Sequence, residues 1–160
     1  MPVNPFPALI AFAPILQPVQ AVLFLLILVV ISICDLRSRE IPDSLQAALA
    51  ATTLLCFSPM NLLGVFGALP YLVIALFFGG MAGMGGGDIK LAAATGMVLG
   101  LSASLTASML GLGCFVLYTT LYSAGRRLHG NTEKIGFPVG PFLALGAAAA
   151  YFMKMGGLIL

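Results

Sequence analysis

Residues 18–42 read PVQAVLFLLILVVISICDLRSREIP, and the boundary inside that stretch decides the fold. From Pro18 to Cys34 no side chain carries a charge. At 1.5 Å per residue such a run covers roughly 25 Å, close to the ~30 Å hydrocarbon core of a bilayer. At Asp35 it gives way to Arg37, Arg39 and Glu40, and Pro42 closes the charged segment. A long apolar run that switches abruptly to charge is a membrane-spanning helix arriving at a water interface.

Composition points the same way. The chain is 61% hydrophobic and 8% charged, whereas soluble domains run at roughly half apolar and a quarter charged. So few charges would not cover a surface in water, but a lipid-facing surface needs none. The net charge of +2 is too small to argue for nucleic acid as a partner. Cys34, Cys56 and Cys114 lie singly in apolar segments, and with His129 as the one histidine no metal site is expected. The first basic residue is Arg37, behind prolines at 2, 5, 7, 14 and 18, so no cleaved signal is expected. Residues 1–17 read as a Pro-rich lead-in, with the short apolar piece Leu9–Gln17 interrupted at Pro14.

Working outward from the first span, apolar segments recur near 18–34, 44–58, 62–82, 89–101, 103–124 and 137–153. They predict an all-α polytopic membrane bundle of about six transmembrane helices, with residues 18–160 as its transmembrane domain. The second and fourth segments are short for a bilayer and are expected to be sheltered by neighbours. Pro42-Asp43-Ser44-Leu45-Gln46 reads as a helix start, with Asp43 as N-cap and Gln46 reaching back. Small residues at Gly79/Gly83/Gly87 and Ala92/Gly96/Gly100 predict close helix packing.

The basic residues are sorted into alternate loops: Arg37 and Arg39, then Lys90, then Arg126, Arg127 and Lys134. Lys and Arg accumulate on the cytoplasmic side, so these loops are expected inside and both termini outside. Lys154 is the exception, and near the end of the last helix it is expected to snorkel to the outer interface.

Two acids gain interest from that frame. Asp35 closes the first span and Asp88 opens the fourth. Two crossings separate them, which returns both to the cytoplasmic side. Alone, Asp35 could merely begin a charged interfacial run and Asp88 could merely cap a helix. Together they point to function, because ionisable residues at membrane depth are costly. Two neighbouring carboxylates hold one proton between them, which leaves an acid and a base to activate water for attack on a peptide carbonyl. That chemistry needs no metal or cofactor. Gly83-Met84-Gly85-Gly86-Gly87 removes side chains beside Asp88, and at Gly85 and Gly87 this suits close approach of a substrate strand. It is no phosphate loop, since the G-K-[ST] ending is missing. The rival reading is a small proton-coupled transporter using the same pair, whose site would be expected nearer the midplane.

These residues resemble the type IV prepilin peptidases, membrane aspartyl proteases of the G-x-G-D type. Asp35-Leu36-Arg37-Ser38-Arg39-Glu40-Ile41-Pro42 is similar to the family's first-aspartate motif, with Asp43 where Asn is usual. Gly85-Gly86-Gly87-Asp88-Ile89-Lys90 resembles its G-x-G-D-x-K, and Phe137-Pro138-Val139-Gly140-Pro141-Phe142 its late P-x-G-P segment. The resemblance runs over about 18–153. It implies a six-helix protease with Asp35 and Asp88 catalytic. Such a protease cuts short basic leaders from prepilin or pseudopilin precursors at the cytoplasmic face of a bacterial inner membrane. Many members carry a cytoplasmic insert with paired cysteines and methylate the new N-terminus. This chain has only about ten residues between Asp35 and its second helix, so it resembles the short peptidase-only members of tight-adherence (Flp) pilus systems. Lys90 is expected to meet a substrate carboxylate, a lipid phosphate or Asp88 itself. Pro138, Gly140 and Pro141 are expected to shape a substrate-docking strand.

Overall fold

The first helix, α1 (Pro7–Ser38), buries Gln20, Phe24, Leu28, Ile31 and Asp35. Their steps of four, four, three and four trace one face of a 3.6-residue helix. Val22, Leu26, Val29 and Ile33 lie on the opposite, exposed face. The computed structural model describes residues 7–77, 85–128 and 137–159, with backbone alone for 7–14 and Leu128. Among these residues there is no strand. Helix α1 starts well ahead of the boundary expected at residue 18 and runs through both Pro14 and Pro18. Each proline removes one N–H bond but does not end a helix in a setting where neighbours re-satisfy the backbone.

The second segment is α2 (Asp43–Ala51) followed by a 3-10 turn, Thr52–Cys56. Asp43 is not its N-cap. Pro42 holds that position, its carbonyl accepting the N–H groups of Leu45 and Gln46, and no side chain caps the end. Asp43 and Gln46 are drawn instead to partners on another segment, described below.

The third segment departs most from the expected pattern. Its first half, Pro59–Ala68, is wound as a 3-10 helix, and only Leu69–Phe77 is α-helical (α3). In a 3-10 helix residues three apart share a face, so Asn61, Gly64 and Gly67 form one line. A Cβ on Gly64 would overlap the carbonyl of Gly96, and one on Gly67 would overlap the Ser104 side chain. The carbonyls of Gly64 and Gly67 accept hydrogen bonds from Ser104 Oγ (3.1 Å) and Ser108 Oγ (2.9 Å). This contact fastens the segment to α4 (Gly86–Leu99) and α5 (Leu101–Leu128). Gly96 thus packs as the small-residue spacing predicted. Gly79, Gly83, the 78–82 end of the third segment, His129 and Lys134 lie outside the described residues.

Gly100 has φ 81°, a conformation that suits glycine, and through it α4 reverses directly into α5. The last helix, α6 (Gly140–Met155), packs on α5 where Gly146 meets Gly111; a Cβ on Gly146 would lie 2.7 Å from the Gly111 nitrogen. Among the described residues, three stretches are long and apolar enough to cross a membrane: Ile15–Ser38, Pro59–Phe77 and Leu101–Arg127. The shorter α4 is sheltered by its neighbours, with Leu91, Thr95 and Leu99 all buried. The fold is a helical membrane bundle.

Candidate active site

Helix α1 ends through Arg39, whose φ of 55° is left-handed and whose N–H reaches back to the Asp35 carbonyl at 2.9 Å. The ending turns Glu40 and Ile41 toward the same cavity as Asp35. Asp35 is 5% exposed, and its Oδ2 accepts the Gly140 N–H at 2.8 Å. Gly140 opens α6, so the carboxylate meets a helix N-terminus, where backbone N–H groups lack intrahelical partners and negative charge is favoured. A Cβ at Gly140 would lie 2.7 Å from Asp35 Oδ2 and 3.0 Å from Asp35 Cγ. Only glycine brings its backbone N–H this close.

Asp88 sits in the first turn of α4 and is 7% exposed. Its Oδ2 accepts the Gly85 N–H at 2.9 Å, while its own N–H donates to the Gly85 carbonyl at 3.1 Å. The helix-capping role weighed from sequence is therefore present. Each aspartate commits one oxygen to a backbone N–H at a helix N-terminus. Among the described residues no protein donor reaches the other oxygen of either one.

Both carboxylates line one cavity of about 630 Å³. Its charged lining comprises Asp35, Glu40, Asp43 and Asp88 against Arg39 and Lys90. Pro138, Gly85 and Gly87 also line it, and Pro141 lies just beyond Gly140 in the first turn of α6. Among the described residues, the nearest atom to a Cβ on Gly85 beyond its chain neighbours would be 3.9 Å away, and to one on Gly87 3.6 Å. Glycine is not needed there for packing, and its effect is to leave the cavity open. Lys90 Nζ meets Asp43 at 2.9 and 3.0 Å, across the starts of α2 and α4. Both side chains are well exposed, and such pairs contribute about 0–1 kcal/mol.

Two residues of this region escaped sequence reasoning. Arg39 was counted for its charge, and nothing marks a non-glycine residue for a left-handed conformation. Gln46 is 5% exposed, and its Nε2 donates to Gly87 O (3.2 Å) and Ile41 O (3.4 Å). It ties the segment after Asp35 to the turn before Asp88, while its buried Oε1 has no partner among the described residues. An amide within the apolar run Leu45–Leu49 was the available signal.

Comparison with known proteins adds to this geometry. The sequence model of the type IV leader peptidase family matches residues 22–124. The prepilin leader peptidase/N-methyltransferase of Bacillus subtilis (strain 168) is 34% identical over 153 residues, covering 89% of this chain and 58% of the relative. The chain thus spans less than two thirds of that protein's length. No solved structure matches. Since the match runs from the middle of α1 through most of α5 and takes in both buried aspartates, the chain belongs to the type IV leader peptidase family.

Proposed function

We propose that this chain is a membrane-embedded aspartyl endopeptidase that cuts the short basic leader from prepilin-like precursors at the cytoplasmic face of a bacterial inner membrane. One observation carries the reading: Asp35 and Asp88, each more than nine-tenths buried, come from separate segments to line a single cavity. In this reading one carboxyl of the pair serves as base and the other as acid. The ionised one takes a proton from water as it attacks the scissile carbonyl. The protonated one gives its proton to the developing oxyanion, and the departing amine is protonated as the intermediate collapses. The bonds from Gly85 and Gly140 fix one oxygen of each acid and leave the other for water and peptide.

The family resemblance and the sorting of basic loops both support the cytoplasmic face, where a precursor's basic leader meets its apolar stem. We assign the chain leader cleavage, acting on precursors of the tight-adherence type. The placement of the pair at the end of α1 and the start of α4 favours cleavage over transport, for which a midplane site is usual. The test is processing of a co-expressed precursor by wild type, Asp35→Asn and Asp88→Asn, each verified as folded and inserted. Loss of cleavage in both variants is expected. Near wild-type cleavage in either would overturn the assignment, and proton flux in vesicles would then test the transporter.

A further inference from the structure

The buried face of α1 has a second polar end. Gln20 lies fifteen residues before Asp35, roughly 22 Å away along the helix axis. There it lines a separate cavity of about 410 Å³ with Gln17, Asn61, Tyr151 and Lys154. Gln20 is 6% exposed and its Nε2 donates to the Thr52 carbonyl at 3.0 Å, joining α1 to the second segment. Lys154 is half-buried, and its Nζ donates to the Leu99 carbonyl at 2.7 Å. Leu99 ends α4, so this bond satisfies a carbonyl without an intrahelical partner.

Capping alone does not account for the cavity. The bond to Leu99 uses one of three ammonium N–H groups, and among the described residues no carboxylate pairs with Lys154. A partly desolvated ammonium that meets a carbonyl and, among the described residues, no other partner is undercompensated. Around it converge further donors from separate segments: the amides of Gln17 and Asn61 and the hydroxyl of Tyr151. Among the described residues no acid lines the cavity. Exposed apolar side chains stand at the same end of the bundle, Val19 and Leu23 on α1, Leu54 and Phe57 after α2, and Phe152 on α6. The set combines a cation, neutral donors and apolar flanks.

We infer that this cavity is a binding site for the phosphate of an anionic phospholipid headgroup, in the leaflet opposite the Asp35–Asp88 cavity. Lys154 supplies the charge, Gln17, Asn61 and Tyr151 the neutral donors, and the acyl chains lie along the exposed apolar residues. The site is independent of leader cleavage.

The experiment is native mass spectrometry of the full-length, delipidated protein in detergent, titrated with phosphatidylglycerol, with diacylglycerol and with inorganic phosphate. Wild type and Lys154→Arg are expected to retain phosphatidylglycerol. Lys154→Met is expected to bind it at least tenfold more weakly, with helical circular dichroism unchanged. If Lys154→Met does not fold, Gln17→Leu serves in its place and is expected to weaken binding several-fold. Undiminished phosphatidylglycerol binding by the folded Lys154→Met, or by Gln17→Leu in that role, would overturn the proposal. Equal retention of diacylglycerol would reduce the site to acyl-chain contact. Equal binding of inorganic phosphate would make the ligand a free anion rather than a lipid.

Discussion

One stripe of α1 connects two cavities of opposite character. At the Asp35 end, two carboxylates are held by backbone N–H groups at the starts of α4 and α6. At the Gln20 end, an ammonium is held by a backbone carbonyl at the close of α4. Helix α4 thus places an acid at its N-terminus and meets a cation at its C-terminus, each charge at the end that its macrodipole favours. The difference between the ends lies in what remains available. Among the described residues, the acidic cavity leaves one oxygen of each carboxylate without a protein donor, whereas the cationic one presents an ammonium with neutral amide and hydroxyl groups and no carboxylate.

Removing the acids should break this contrast with the largest effect. Asp35→Asn and Asp88→Asn are each expected to lower leader cleavage by at least about 10²–10⁴-fold, since Asn cannot exchange the proton. The double variant should be no worse than either single one, because the two act as a unit. Single-turnover cleavage of a purified precursor measures both.

Next in size is Gly140→Ala. Its methyl would stand 2.7 Å from Asp35 Oδ2 and displace the carboxylate from its N–H donor. A loss of roughly 10²-fold is expected, the usual cost of a catalytic group misplaced by about an ångström. Gly85→Ala, with nothing within 3.9 Å of the new methyl, should cost less, and a larger loss at Gly85 than at Gly140 would refute the positioning role of Gly140.

Gln46→Leu removes the amide bridge between Ile41 and Gly87 while keeping the helix filled. It also removes a buried acceptor that has no partner, so stability should barely fall while cleavage drops about tenfold or more, through loosened positioning. Thermal unfolding in detergent, run beside the cleavage assay, separates the two. The smallest effect belongs to the exposed Lys90–Asp43 pair. A double-mutant cycle with Lys90→Met and Asp43→Asn should give a coupling below about 1 kcal/mol that fades with added salt.

The outline of both cavities was legible to different depths. The meeting of Asp35 and Asp88 was expected from an even number of crossings read off hydropathy, and the structure brings both to one cavity. The part of Gly140 was not legible in atomic terms. The P-x-G-P resemblance marked the segment, but a backbone N–H donated across 105 positions leaves no periodic trace. Gln46 was misread because a local capping pattern and a long-range bridge use the same residue types. Lys154 was read only as a snorkelling charge, since the amides that surround it come from distant segments. The 3-10 winding of Pro59–Ala68 was missed because hydropathy does not separate a 3-10 from an α-helix. Gly64 and Gly67, three apart, carried the signal.

That winding also changes what the third segment can span. Pro59–Ala68 has ten residues, and wound as an α-helix they would rise about 15 Å. As a 3-10 helix, rising about 2.0 Å each, they reach about 20 Å. The extra length is held by the glycine line against Gly96 and Ser104. The reach of this segment is therefore set in part by a buried contact and not only by the number of its apolar residues. A larger side chain at Gly64 would alter hydrophobic mismatch as well as packing.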